Sequence, residues 1–167
     1  MGKAQDFTIQ AINLVHRNLV RGTKGRVGGK LVGMPTLDLV TTGRKSGRPR
    51  HTMLTAPVVD GDRIVLVASY GGSPTHPHWF LNLRDDPDVT IYYEGAERKM
   101  RARVANADER AELWPRVTAK AKNYADYQTK TMREIPLVIL EPALPADDRA
   151  DEQTEHQQAP GPPGDEE

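Results

Sequence analysis

Beyond residue 36 the chain breaks into short runs in which apolar and polar residues alternate, separated by clusters of Gly, Pro, Asp and Asn. The runs are Leu37–Thr42, Thr52–Val59, Arg63–Ser69, Val89–Tyr93, Lys99–Val104 and Ile135–Leu140. A period of two in stretches rich in Val, Ile, Thr and Leu predicts six β-strands. Asp60-Gly61-Asp62 and Glu94-Gly95 read as hairpin turns, because Gly supplies the positive φ that such turns require. Three other segments follow the helical period. Phe7–Val20 places Ile12, Val15 and Leu19 on one face and Arg17 on another, as a short amphipathic helix does. His76–Leu83 has Pro77 in its first turn and is stopped by Asp85-Asp86-Pro87. Asp108–Lys130 is helical in pattern, with a break expected at Trp114-Pro115. Strands joined mainly by hairpins, with few helices, predict a mainly β chain with α (α+β), folded as a small antiparallel barrel and not as a doubly wound sheet.

Length and charge divide the chain. Its 167 residues are about one domain's worth. The formal net charge of zero joins two unlike parts. Residues 143–167 carry eight acids (Asp147, Asp148, Asp151, Glu152, Glu155, Asp165, Glu166, Glu167) against Arg149 alone, which leaves the body a surplus of seven positive charges. With four prolines and almost nothing apolar, that tail cannot offset its ordering entropy and is expected to be disordered. The expected organisation is an N-terminal helix and basic Gly-rich loop over 1–36, a folded ligand-binding domain over 37–142 and an acidic tail over 143–167. There is no Cys, so disulfides and thiolate metal sites are excluded and redox chemistry requires a bound cofactor. No apolar run reaches membrane-span length, and the N-terminus lacks a signal-peptide layout, so a cytoplasmic protein is expected. Contact of the 7–20 helix with the inner face of a membrane stands as the alternative to core packing. The oligomeric state is left open.

A basic body calls for an anionic partner. The densest signal is Thr42-Gly43-Arg44-Lys45-Ser46-Gly47-Arg48-Pro49-Arg50, a hairpin loop with four cations in seven residues. Like charges crowded on one tight loop repel unless an anion sits among them. Arg44 and Arg50 can grip phosphate or carboxylate in bidentate fashion, Lys45 adds a mobile charge and Ser46 a hydroxyl. A solvated basic turn is the bland reading. Gly29-Lys30 is no P-loop, since Lys24 and Leu31 stand where that motif needs Gly and Ser or Thr. A second cluster, Ala68-Ser69-Tyr70-Gly71-Gly72, ends a strand in a way that lets a planar ligand approach backbone, and is followed by the Pro77 helix start with Trp79. Trp79 reads equally as a core indole. His76 and His78 lack a third ligand at helical spacing, so no metal is expected. In Asn123-Tyr124-Ala125-Asp126-Tyr127-Gln128, two tyrosines three apart share a helix face, either over a pocket or packed on the sheet.

These motifs in this order, with Trp79-Phe80-Leu81-Asn82-Leu83 and Ile135-Pro136-Leu137-Val138, resemble the deazaflavin-dependent nitroreductase family over about Leu37–Pro142. The resemblance implies a split β-barrel, FMN-binding-like, with short flanking helices. It implies reduced 8-hydroxy-5-deazaflavin, coenzyme F(420), as hydride donor to quinones, unsaturated lactones or nitroaromatics. Carried over residue by residue, Arg44, Lys45 and Arg50 would hold the phosphate and oligoglutamate end of the cofactor. Ser46, His51, Thr52, Met53, Leu54 and Thr55 would continue its wall; Ala68, Ser69, Tyr70, Gly71, His78, Trp79, Phe80, Leu81, Asn82 and Tyr124 would line the rest. Ser69, Tyr124 and Tyr127 would face the acceptor as catalytic residues. Thr55, Tyr70, His78 and Ala121 depart from the nitroimidazole-reducing pattern, which favours a quinone or enone acceptor. Two rivals use the same cations: an FMN-binding reductase and a non-catalytic anion or nucleic-acid binder. Nucleic acid is disfavoured, because the basic loops carry no aromatic residue for base stacking.

Overall fold

The structure is a computed structural model that describes residues 30–31 and 33–143. The expected 7–20 helix, most of the Gly-rich loop and the tail beyond residue 143 lie outside the described residues. The strands are β1 Lys30–Leu31, β2 Met34–Thr42, β3 Pro49–Thr55, β4 Val58–Asp60, β5 Arg63–Val67, β6 Asp88–Tyr93, β7 Ala96–Val104 and β8 Leu137–Pro142. The helices are α1 His78–Asp85, α2 Ala107–Lys120 and α3 Asn123–Thr129, with a 3-10 turn at Tyr70–Gly72. Every ladder is antiparallel, along the path β1-β2-β6-β7-β8-β5-β4, and β3 pairs with β2 beside that path.

The α+β class agrees with the alternation of the sequence, but the split barrel does not form. Among the described residues no ladder joins β1 or β3 to β4, so the sheet stays open. The interruption lies inside the run Thr52–Val59, which the pattern reads as one strand. The chain leaves the ladder at Ala56-Pro57, where Pro57 has no N–H to donate, and resumes as β4 at the far end of the path. Both residues are buried, and the Ala56 N–H is satisfied by the Pro35 carbonyl at 2.8 Å.

The sheet is covered on two faces, which explains why β5 and β8 read as unbroken apolar runs. Ile64, Leu66, Val138 and Leu140 join Leu37, Leu39 and Ile91 in a core closed by Trp79, Phe80 and Leu83 of α1. Val65, Val67, Leu137 and Ile139 point the other way and pack on Leu113 and Val117 of α2 and Tyr124 of α3. Helix α2 opens on a capping box, with Asn106 and Glu109 each accepting the other's backbone N–H. The break expected at Trp114-Pro115 falls instead at Ala121–Lys122. Pro115 and Ala111 are both exposed, so the carbonyl that loses its amide partner lies on the water side. Glu94 and Gly95 both take positive φ, giving the tight β6–β7 hairpin.

Candidate functional site

The β2–β3 hairpin carries the basic loop. Gly43 donates to the Arg48 carbonyl at 2.9 Å and accepts from the amides of Ser46 and Gly47. A Cβ on Gly43 would come within 2.8 Å of Ser46 Oγ and 3.1 Å of the Arg48 carbonyl, so only Gly lets the loop fold back this tightly. Ser46 Oγ accepts from Arg50 Nη2 at 3.3 Å, and Arg44 donates from both its backbone and its guanidinium to Asn82 Oδ1 on α1, each at 3.3 Å. Asn82 is buried and donates onward to Thr41 Oγ1 at 3.1 Å. The loop is thereby tied to α1 while its charges stay exposed. Among the described residues no carboxylate lies within ion-pair distance of Arg44, Lys45, Arg48 or Arg50. Elsewhere Arg63, Arg98, Arg101, Arg103, Arg110 and Arg116 each meet one. A cluster of four cations without acids is a donor set suited to an oligoanion, as the phosphodiester and glutamates of a deazaflavin coenzyme require.

The pleat of β3 separates the expected wall His51–Thr55 into two faces. Thr52 and Leu54 follow Arg50 on the α1 side, where Leu54 packs against the core. His51, Met53 and Thr55 face the opposite side, and Thr55 Oγ1 lies 2.9 Å from the Tyr124 hydroxyl. Burial pushes the Tyr124 phenol above the ordinary tyrosine range, so it stays protonated and able to donate. The Tyr127 ring meets Tyr124 edge to face at 6.1 Å, and Lys130 lies over Tyr127. On the same face of β2–β3, His51 Nδ1 is 2.8 Å from Asp38 Oδ2; Asp38 is buried, and its Oδ1 has no hydrogen-bond partner among the described residues.

Ala68 and Ser69 are buried at the end of β5, and the chain then turns through Tyr70, Gly71 and Gly72, all at positive φ. Gly72 fits beneath α3, where a Cβ would stand 2.7 Å from the Tyr127 carbonyl and 2.9 Å from Lys130 Cβ. Arg133 holds the turn from the other side. Its Nε donates to the Ser73 carbonyl at 2.8 Å, and its Nη2 donates to the carbonyls of Ser69 at 2.8 Å and Ala68 at 3.2 Å. Its Nη1 reaches His76 Nδ1 at 3.4 Å, and the His76 ring packs on Phe80 at 4.8 Å.

These contacts form a circuit. From the hairpin, Arg44 reaches Asn82 on α1; Phe80 of α1 meets His76; Arg133 joins His76 to Ser69; Gly72 touches Tyr127; and Tyr124 returns to Thr55 on β3. Of the residues expected from the sequence, Arg44, Thr55, Ser69, Phe80, Asn82, Tyr124 and Tyr127 lie on it. Trp79 and Phe80 face the core, only 7% and 2% exposed, so they back the site rather than line it openly. His78 is exposed and Leu81 half-buried. Among the described residues no group of three or more His, Cys, Asp or Glu could hold a metal ion, and no helix is long and apolar enough to cross a membrane. Sequence reasoning missed Arg133 and Asp38. Asp38 left a signal, an acid between Leu37 and Leu39 in an alternating strand, whereas nothing local marks Arg133.

A family profile for F420H(2)-dependent quinone reductases matches residues 14–142. A Mycobacterium tuberculosis (strain H37Rv) protein described as an F420H(2)-dependent quinone reductase is 40% identical over 136 residues, covering 79% of this chain and 90% of the relative. A solved F420-H2 dependent reductase (FDR-A) superposes with a TM-score of 0.59 at 36% identity, covering 64% of this chain and 94% of that one. A second structure, described as a domain-swapped dimer, has a TM-score of 0.59 at 33% identity and covers 75% of this chain and 98% of its own. The chain therefore belongs to the F420H(2)-dependent quinone reductase family, and is an oxidoreductase that passes a hydride from the reduced coenzyme to a small organic acceptor.

Proposed function

We propose that the acceptor is a quinone, that the hairpin cations anchor the anionic end of the coenzyme, and that Ser69, Tyr124 and Tyr127 face the acceptor. The observation that carries this reading is the set of Arg44, Lys45, Arg48 and Arg50, exposed and without acids among the described residues, yet braced through Asn82 to α1. Ser46, His51–Thr55, Ala68–Gly71, His78–Asn82 and Tyr124 continue the wall, with Trp79, Phe80 and Leu54 supporting it from the core side.

Bound in reduced form, the deazaflavin supplies two electrons as a hydride. The protein's part is to align donor and acceptor, exclude water and donate a hydrogen bond to the acceptor oxygen as negative charge grows there. Tyr124 suits the last role when Thr55 Oγ1 is the donor in their hydrogen bond, because the buried phenol then keeps its own proton for the acceptor. A quinone carbonyl, which becomes a phenolate oxygen, gains most from such a donor. The departures at Thr55, Tyr70, His78 and Ala121 favour this acceptor over nitroimidazoles.

Fluorescence titration of the purified chain with deazaflavin, FMN and a duplex oligonucleotide, repeated on Arg44→Ala/Lys45→Ala, tests the reading. Deazaflavin should bind and FMN and the duplex should not, and the double variant should bind deazaflavin more weakly by about tenfold or more, the loss expected for two charge-assisted contacts. Unchanged affinity in the variant would remove the anchor.

A further inference from the structure

We propose that Arg133 is a positioning residue of the reductase, holding the Ser69 turn in its acceptor-facing shape through three backbone carbonyls. The inference rests on the proposal that Ser69 borders the acceptor, and names a residue outside every motif that carries the family resemblance.

The turn it grips is under strain. Tyr70 has a φ of 47°, followed by Gly71 at 64° and Gly72 at 82°. A non-Gly residue in the left-handed region persists only where its surroundings over-determine it. Within the turn, Gly72 N–H donates to the Ser69 carbonyl at 3.0 Å and Ser73 N–H to the Tyr70 carbonyl at 3.1 Å, while Thr75 N–H donates to Ser73 Oγ at 3.3 Å. To these the guanidinium adds a clamp on both ends, Ala68 and Ser69 on entry and Ser73 on exit. Its planar fork meets divergent carbonyls at once, which a lysine ammonium on a flexible stem cannot reproduce. Arg133 is itself half-buried, its charge disfavoured by that burial, and among the described residues no carboxylate pairs with it. With its N–H groups spent on three carbonyls and one imidazole, the guanidinium fixes the backbone it touches and does not pair with a charge. It is also held in place: its own carbonyl accepts from Gln128 Nε2 of α3 at 2.8 Å, so the clamp links the Ser69 turn to the helix that carries Tyr124 and Tyr127. Arg133 thus links Ser69 to the helix that carries the other two groups proposed to face the acceptor.

The test compares Arg133→Lys, Arg133→Ala and Ser69→Ala with the parent chain, using reduced deazaflavin and menadione. Turnover number, acceptor KM, deazaflavin affinity and melting temperature are measured, and Arg133→Ala is also assayed with added guanidinium or ammonium ions. Both Arg133 variants should lose turnover by about tenfold or more with deazaflavin affinity little changed, since the loss falls on transition-state alignment and not on uniform binding. Guanidinium, and not ammonium, should restore part of the Arg133→Ala turnover. Arg133→Lys tests the same point if the alanine variant does not fold. Turnover that falls only in proportion to folded protein, without guanidinium rescue, would overturn the proposal. So would normal turnover in the Arg133 variants beside a defective Ser69→Ala. Normal turnover in all three would instead refute the placement of the acceptor against this turn, and the positioning role with it.

Discussion

Thr55 on β3 and Tyr124 on α3 are 69 residues apart in sequence, and their hydroxyl oxygens lie 2.9 Å apart. This bond joins the strand that continues the basic hairpin to the helix that covers the second core. It relates the part of the chain suited to binding the coenzyme to the part suited to meeting the acceptor.

Removing that bond should separate stability from chemistry. Tyr124→Phe and Thr55→Val should each lower stability by about 1 kcal/mol, the net worth of one buried hydrogen bond. The double variant should be less destabilised than the sum, because both changes remove one interaction. If Tyr124 donates to the acceptor, Tyr124→Phe should also slow turnover by an amount equivalent to about 1 to 3 kcal/mol, while Thr55→Val does so less. Denaturant melts alongside steady-state kinetics measure both effects.

Gly72 should not tolerate a side chain. Its φ of 82° and a Cβ position 2.7 Å from the Tyr127 carbonyl place strain and steric conflict at the same point. Gly72→Ala should cost roughly 2 to 3 kcal/mol by forcing the turn away from α3. The accompanying rise in acceptor KM should exceed any change in deazaflavin affinity.

The elements that could be read from the sequence are those set by local chemistry. The hairpin on which the four cations sit, the turn at Glu94-Gly95 and the strand runs of β2 and β6 each declare themselves within a few residues. What escaped depends on tertiary placement. Within Thr52–Val59 Pro57 is a local sign of interruption, but it does not show that the two halves lie at opposite ends of an open sheet, because each keeps its apolar alternation. Pro115 suggested a helix break that its exposure makes unnecessary. Arg133 lies in a short polar segment, and its partners Ala68, Ser69 and Ser73 are some 60 residues away and engage only through their backbones. The family motifs marked Tyr124, but its bond to Thr55 appears only once α3 is packed.

His76 should make the chain less stable in mild acid. Burial first, then the charges of Arg133 and Arg84, hold its pKa below the ordinary histidine value. The neutral ring is thus favoured in the folded state, and the unfolded chain, titrating near pH 6.5, takes up the proton first as pH falls. The stabilising contribution is complete above about pH 6.5 and is lost as pH falls through the lower folded value. His76→Asn removes this titration, so its melting temperature should fall less than the parent's between about pH 7.5 and pH 5.5. Equal slopes would show that His76 contributes nothing to the pH dependence.

Salt should weaken coenzyme binding through the hairpin. Exposed charges are screened, with a Debye length of about 8 Å at physiological ionic strength, so deazaflavin affinity should fall steadily with added salt. Arg44→Ala/Lys45→Ala should show a shallower slope and, at saturating coenzyme, near-normal turnover, because contacts remote from the reacting atoms provide uniform binding. Titrations and initial rates at several salt concentrations measure both.

The most direct test mixes the purified chain anaerobically with reduced deazaflavin and menadione and follows the fluorescence of oxidised deazaflavin against hydroquinone formed. The expected result is turnover well above the protein-free rate, with one oxidised deazaflavin per hydroquinone, and no acceleration over the protein-free rate when reduced FMN replaces the deazaflavin. Acceleration with reduced FMN but not with reduced deazaflavin would contradict the assignment.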